Sequence, residues 1–266
     1  MDNLKLYFAY IGMFFRSRAE YKTSFFAGMF ANFYCYFVTY TIFWLMTQRF
    51  TTIGGWNFSE LTVLYGTGLL TYAISGVLFW GSIYFLESAV TEGKLDILLL
   101  RPKGLIVQLI CSSFGYTFIG QIIVTVIFLC LAFANDASLH SWTKILYYLV
   151  ALVGGVLING GAVIIVGALS FWVKRSTQIG GVFYYTLREF CIYPLNIYPR
   201  YIKLAVTYVF PWAFINYYPA AVLLGKSDNG YDYCLGLLAP LVGVAFFLLS
   251  LKIFALGLRR YESAGN

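Results

Sequence analysis

Few residues in this 266-residue chain have the types and spacing for chemistry. The richest segment reads Glu87-Ser-Ala-Val-Thr-Glu92-Gly93-Lys94-Leu95-Asp96-Ile97-Leu98-Leu99-Leu100-Arg101-Pro102-Lys103. It mixes both charge signs with four consecutive apolar residues, Ile97 to Leu100. In water such a run is costly; in a groove on a soluble partner it is buried, as in helix-in-groove recognition. Pro102 would end the short helix. The alternative is a plain loop whose leucines dip back into a membrane. A second feature is the pair Arg188-Glu189, set in an otherwise apolar stretch. The one histidine, His140, lies close to Trp142 and lacks the companions that a metal site or an activated nucleophile requires. Residues 220–227 end in Gly225-Lys226-Ser227 but open on Ala220, where a phosphate-binding loop needs glycine. No strand pattern precedes them, so nucleotide binding is not expected there. With no nucleophile–base set, the chain is not read as an enzyme.

Composition dictates what surrounds these residues. Hydrophobic residues make up 61% of the chain, charged residues 11%, and the mean hydropathy is +0.77. A soluble domain carries about 45–50% apolar and about 25% charged residues. There are too few charges here for a wetted surface, so the expected fold class is an all-α membrane protein, a single transmembrane domain over residues 1–266. The net charge of +7 comes from short basic segments between apolar spans, the positive-inside pattern rather than a nucleic-acid groove. The five cysteines show no CxxC or metal spacing, and four lie in apolar stretches. Residues 1–10 lack a basic-then-apolar leader, so no cleavable signal peptide is expected.

A helix crosses the ~30 Å hydrocarbon core in about 20 residues. Charge-free intervals place spans at 23–47 and 61–86, between Lys103 and Asp136, between Lys144 and Lys174, and from Asp232 to Lys252 with an extension toward Leu258. The span between the last two starts at Ser176, meets Arg188-Glu189, and runs into Pro194 and Pro199. The run 204–225 is long enough to cross but holds Pro211 and Pro219. With six spans and the N-terminus inside, twelve Lys and Arg fall inside and five outside, with Arg188 in the fifth span. Seven spans would send Arg259 and Arg260 outside. The bias predicts six spans with both termini cytoplasmic. Residues 201–226 then form a re-entrant hairpin on the outer side, packed against protein because broken helices need partners for their backbone.

Leu4, Phe8, Ile11 and Phe15 recur with helical spacing and predict an amphipathic interfacial helix over 1–22, or else an extension of the first span. At ~1.5 Å rise per residue, Arg188 and Glu189 would lie ~18 Å into the fifth span. Charges at that depth need pairing or water. The pair is therefore a candidate for a wet cavity or an outer gate, unless the span is short and both sit at the outer interface. Tyr184, Tyr185, Phe190, Tyr193 and Tyr198 suit an apolar or cationic cargo, and suit helix packing and interfacial belts as well.

Three stretches carry a resemblance. Glu92-Gly93-Lys94-Leu95-Asp96-Ile97-Leu98-Leu99-Leu100-Arg101-Pro102 resembles the G-x-L-D-x-L-L-L-R-P motif between the second and third spans of ABC-2 type transporter permeases. The subgroup is the one in which two permease genes accompany one ATPase gene. Tyr193-Pro194-Leu195-Asn196-Ile197-Tyr198-Pro199 is a second match. Phe210-Pro211-Trp212-Ala213-Phe214-Ile215-Asn216-Tyr217-Tyr218-Pro219-Ala220 is similar to that subgroup's P-x-A-F-x-N-Y-x-P stretch. Arg188-Glu189 has no counterpart in these motifs.

The resemblance implies six helices per subunit, an elbow helix at 1–22, a coupling helix within 87–103, and re-entrant elements at 201–226. It implies an ABC ATPase, present in two copies, that binds the ATP and Mg2+ this chain does not. A second permease subunit, a paralogue under the subgroup's pairing, completes the unit in a bacterial plasma membrane. The expected activity is ATP-driven export of hydrophobic or amphipathic compounds (drugs, lipids or antimicrobial peptides) by alternating access. Residues 92–102 carry over as the ATPase-coupling element. Tyr193, Pro194, Tyr198, Pro211, Asn216 and Pro219 join Arg188 and Glu189 as candidate gate or pathway residues. A secondary carrier or channel and a non-transporting assembly subunit are the rival readings; carriers commonly hold ionisable residues within their spans, and only Arg188-Glu189 qualifies here.

Overall fold

The structure, a computed structural model, describes residues 22–50, 52–112, 114–136, 139–173, 175–227 and 229–262. The amphipathic helix expected over 1–22 lies, but for Lys22, outside the described residues. Among those residues the chain is helical, with one isolated bridge between Ile53 and Trp56. Five helices there are long and apolar enough to cross a membrane: Phe25–Arg49, Phe58–Thr91, Phe118–Asn135, Trp142–Phe171 and Gly230–Arg259.

Helix α1 (Lys22–Arg49) turns Phe26, Phe30 and Tyr34 outward, as a helix in contact with lipid does. Helix α2 (Phe58–Ser75) starts at a capping box: Asn57 Oδ1 accepts from the Glu60 N–H at 3.0 Å, and the Glu60 carboxylate accepts from the Asn57 N–H at 2.7 Å. This satisfies two N–H groups that a helix start leaves orphaned. One π turn, Gly76–Trp80, then leads into α3 (Gly81–Thr91). The second span therefore runs past the interval 61–86, and Glu87 is helical rather than in the loop.

A π turn disturbs the backbone ladder and leaves a carbonyl to satisfy. Here Gly115 donates its N–H to the Val77 carbonyl at 3.2 Å. Only glycine fits, because a Cβ at 115 would lie 2.5 Å from the Gly76 carbonyl oxygen. This approach corrects the third span. After the short helix α4 (Leu95–Leu99), the interval from Lys103 to Asp136 is not one helix but α5 (Leu105–Ser112), a break pinned on the π turn, and α6 (Phe118–Asn135).

Helix α7 (Trp142–Ala168) and the last helix, α11 (Gly230–Arg259), cross with their backbones in contact. A Cβ on Gly243 would stand 2.4 Å from the Gly154 carbonyl oxygen. Small residues at a crossing let two helices approach closely, which is what drives helix association in lipid.

The expected fifth span is short. Helix α8 (Ser176–Phe190) has 15 residues, or ~22 Å, less than a ~30 Å hydrocarbon core. Beyond it the chain breaks into a 3-10 turn (Leu195–Ile197), α9 (Arg200–Leu204), a π turn (Ala205–Val209), a second 3-10 turn (Pro211–Phe214) and α10 (Tyr217–Leu224). Pro199 sits at the start of α9 and Pro211 at the start of its turn, positions where a missing N–H costs least. Residues 211–221 are buried without exception, against α2, α7 and α11. Gly225 closes α10 in the left-handed conformation, φ +67°.

Candidate functional site

At one end of the bundle the charged segment folds onto the protein itself. Glu92 caps α3, its N–H bonded to the Ser88 carbonyl at 2.9 Å. Gly93 turns the chain at φ +71°, and Lys94 pairs with Glu92. Helix α4 then presents two faces. Leu95 and Leu98 are buried in a cluster with Leu86, Ala89, Leu105, Leu109, Ala168 and Phe254. Gln108 Nε2 donates to the Leu98 carbonyl at 3.0 Å and to the Lys103 carbonyl at 2.7 Å, closing the segment's far side. Ile97 and Leu100 are 60% and 86% exposed, Leu99 is exposed, and Arg101 and Pro102 lie beside them. The run from Ile97 to Leu100 is thus not one outward anchor: Leu98 faces the protein's own core, because residues three apart share a helix face.

The same end holds a contact that the sequence did not reveal. The Glu87 carboxylate accepts from the Thr177 N–H at 2.7 Å and from the Ser176 hydroxyl at 3.1 Å. It caps the start of α8, where free N–H groups and the helix dipole favour a negative charge.

Arg188 and Glu189 part company. Glu189 is exposed, whereas the Arg188 guanidinium sits over the Tyr72 ring, 3.8 Å from its centre. Arg188 also lines a cavity of about 30 Å³ with Tyr65, Gly68, Asn159, Trp212 and Asn216. That is room for a water molecule, with polar groups to hold it. Asn216 Nδ2 donates to the Cys191 carbonyl at 2.6 Å and so ties the proline-rich segment to the end of α8. Among the candidate gate residues the structure therefore unites Arg188 and Asn216. Tyr193 packs edge-on against Phe43 of α1, 5.8 Å between ring centres, and Tyr198 against Phe190 at 5.6 Å. Pro194, Pro211 and Pro219 are buried scaffold.

Asn159 is a functional candidate absent from the sequence reading. The Tyr184 hydroxyl donates to its Oδ1 at 2.7 Å, and its Nδ2 donates to Thr71 Oγ1 at 3.3 Å and the Gly155 carbonyl at 3.1 Å. One amide thereby joins α8, α7 and α2. The available signal was a lone asparagine deep in an apolar helix of 27 residues. At the opposite end of the bundle, Lys226 pairs with Glu60 at 2.5 Å, donates to the Gly55 carbonyl at 2.5 Å and lies 5.6 Å from the Trp56 ring centre. The lysine of the imperfect phosphate-loop pattern is thus spent on tying α10 to the start of α2.

Apolar helices of bilayer length around a buried polar chain, with a proline-broken segment folded into the core, define a multi-pass membrane protein. Residues 33–265 match the family described as ABC-2 family transporter protein, and the chain belongs to that family. No match was found among curated proteins or among solved structures. The chain is accordingly the membrane component of a transporter, not a catalytic domain.

Proposed function

We propose that this chain is the permease subunit of an ATP-driven exporter, docked through residues 92–102 to a separate ABC ATPase that binds ATP and Mg2+. One observation carries the reading: a short helix held to the bundle by Leu95 and Leu98 presents Ile97, Leu99 and Leu100 outward among Glu92, Lys94 and Arg101. An apolar centre with a charged rim is the composition of a protein-binding surface, the centre supplying affinity and the rim selectivity. ATP would close two ATPase copies and draw together the α4 helices of two permeases, this one and a paralogue. Each ATPase state then favours one of two bundle arrangements through its differential contacts. The cargo is hydrophobic or amphipathic.

In this reading the Leu95 end is cytoplasmic, both termini face the cytoplasm of a bacterial cell, and 1–22 forms the elbow helix. The sixth crossing is α8 completed by the broken segment after it, and 201–226 folds back from the outer side. The experiment is co-purification of the ATPase with tagged permease. Ile97→Asp and Leu100→Asp should each abolish co-purification while the permease stays folded; a stoichiometric, transport-competent complex in both variants overturns the docking assignment.

A further inference from the structure

The end of the bundle opposite Leu95 holds a second site, independent of the docking reading. Helix α11 fixes the distance: Asp232 in its first turn and Phe254 in the Leu95 cluster are 22 residues apart, or ~33 Å. Around Asp232 a cleft of about 350 Å³ opens between α9, the π turn after it, α10 and the start of α11. Its charges do not cancel. Asp232 is buried, and its carboxylate is taken up by Lys203 at 3.1 Å. Arg200, on the same short helix, is exposed and has no carboxylate partner among the described residues. One positive charge is left over, on the side chain whose planar fork matches phosphate oxygens.

The remaining walls are hydroxyls. Thr207 Oγ1 and the Tyr218 hydroxyl lie 3.0 Å apart, and the Tyr208 and Tyr231 hydroxyls are hydrogen-bonded to each other. Two tyrosines with exposed rings, Tyr208 and Tyr231, line the cleft, and Tyr201 and Tyr233, next in sequence to its lining residues, are exposed as well, the residue type enriched where a protein meets lipid headgroups. From the cleft an apolar strip runs down α11: Tyr231, Leu238 and Leu241, seven and three residues apart, share one helix face, and each is 45–65% exposed.

We infer that this cleft binds the phosphodiester headgroup of an anionic membrane lipid, with Arg200 clasping the phosphate, hydroxyls donating to its oxygens, and an acyl chain lying along Leu238 and Leu241. A free phosphate would use the same guanidinium, but it has no need of the apolar strip. Asp232, held by Lys203, keeps the cleft from accepting a second anion.

The test uses purified full-length protein in detergent and native mass spectrometry. The probes are phosphatidylglycerol, diacylglycerol as the same tails without phosphate, and free glycerol phosphate. Phosphatidylglycerol should be retained and diacylglycerol lost. Arg200→Gln should weaken retention about tenfold, the scale of one charge-assisted hydrogen-bond pair. Arg200→Lys, which keeps the charge without the fork, should fall in between, and Arg49→Gln should match the wild type. Equal retention by Arg200→Gln and wild type, or equal retention of diacylglycerol, overturns the site. If glycerol phosphate displaces the lipid at micromolar concentration, the tails contribute nothing and the lipid assignment falls.

Discussion

The guanidinium of Arg188 lies over the face of Tyr72, 3.8 Å from its centre, so the one cation carried within α8 is held by the ring of α2. Neighbouring residues on a helix diverge by about 100°, which is why Glu189, one position on, is left exposed. The two charges, adjacent in sequence, do different work.

That difference can be measured. Arg188→Met should lower thermal stability by about 2 kcal/mol, the worth of a desolvated cation–π contact, and should impair transport. Arg188→Lys should recover part of both. Glu189→Gln should leave the unfolding midpoint unchanged. Thermal unfolding in detergent, paired with cargo export from reconstituted vesicles, distinguishes the two positions; equal effects would mean that the charges act as a pair.

Glu87 should matter for coupling rather than folding. Its carboxylate caps α8 from the last turns of α3, next to the exposed α4 helix. Glu87→Gln keeps an acceptor oxygen and loses the charge, so it should cost only about 0.3–1 kcal/mol. Glu87→Ala removes the cap and should cost about 1 kcal/mol or more. The expected signature in vesicles is ATP hydrolysis that continues while transport falls. Parallel loss of both activities would instead indicate simple instability.

Within α4, two classes of variant should separate. Leu98→Asp places a carboxylate in the apolar cluster with Phe254 and should unfold the segment itself. Ile97→Asp and Leu100→Asp add charge to exposed positions and should leave the permease folded while releasing the ATPase. Limited proteolysis reports the first effect and co-purification the second.

Asn159→Leu should leave the Tyr184 hydroxyl and Thr71 without their shared partner. A cost of about 1 kcal/mol is expected, since interhelical hydrogen bonds in lipid are individually modest. The unfolding midpoint checks it. No change would mean that water replaces the amide.

Composition alone placed the chain in the membrane, and the charges marked the ends of most helices to within a few residues. The misses have physical causes. Four successive apolar residues conceal a three-residue period, so the inward turn of Leu98 could not be separated from the outward Leu100. The break before α6 depends on a glycine 39 positions away from its contact at Gly76, and no local pattern encodes that distance. Arg188-Glu189 was legible as a costly pair, but the ring beneath Arg188 comes from another helix. Of the polar network, Asn159 alone had a visible signal; Thr71 and Tyr184 looked like ordinary members of their helices.

The backbone contact between Gly154 and Gly243 has a mechanical consequence. With no side chains between these glycines to change rotamer, α7 and α11 meet without slack at this crossing and form a paired strut. One end of that strut, through Ala168 and Phe254, is embedded with Leu95 and Leu98. Its other end carries Asp232, clasped to Lys203. Under the proposed docking at α4, movement there would bear on this strut at the Leu95 end, and α11 would bend most readily at Pro240, beside the Gly154 crossing, where the helix lacks a backbone hydrogen bond.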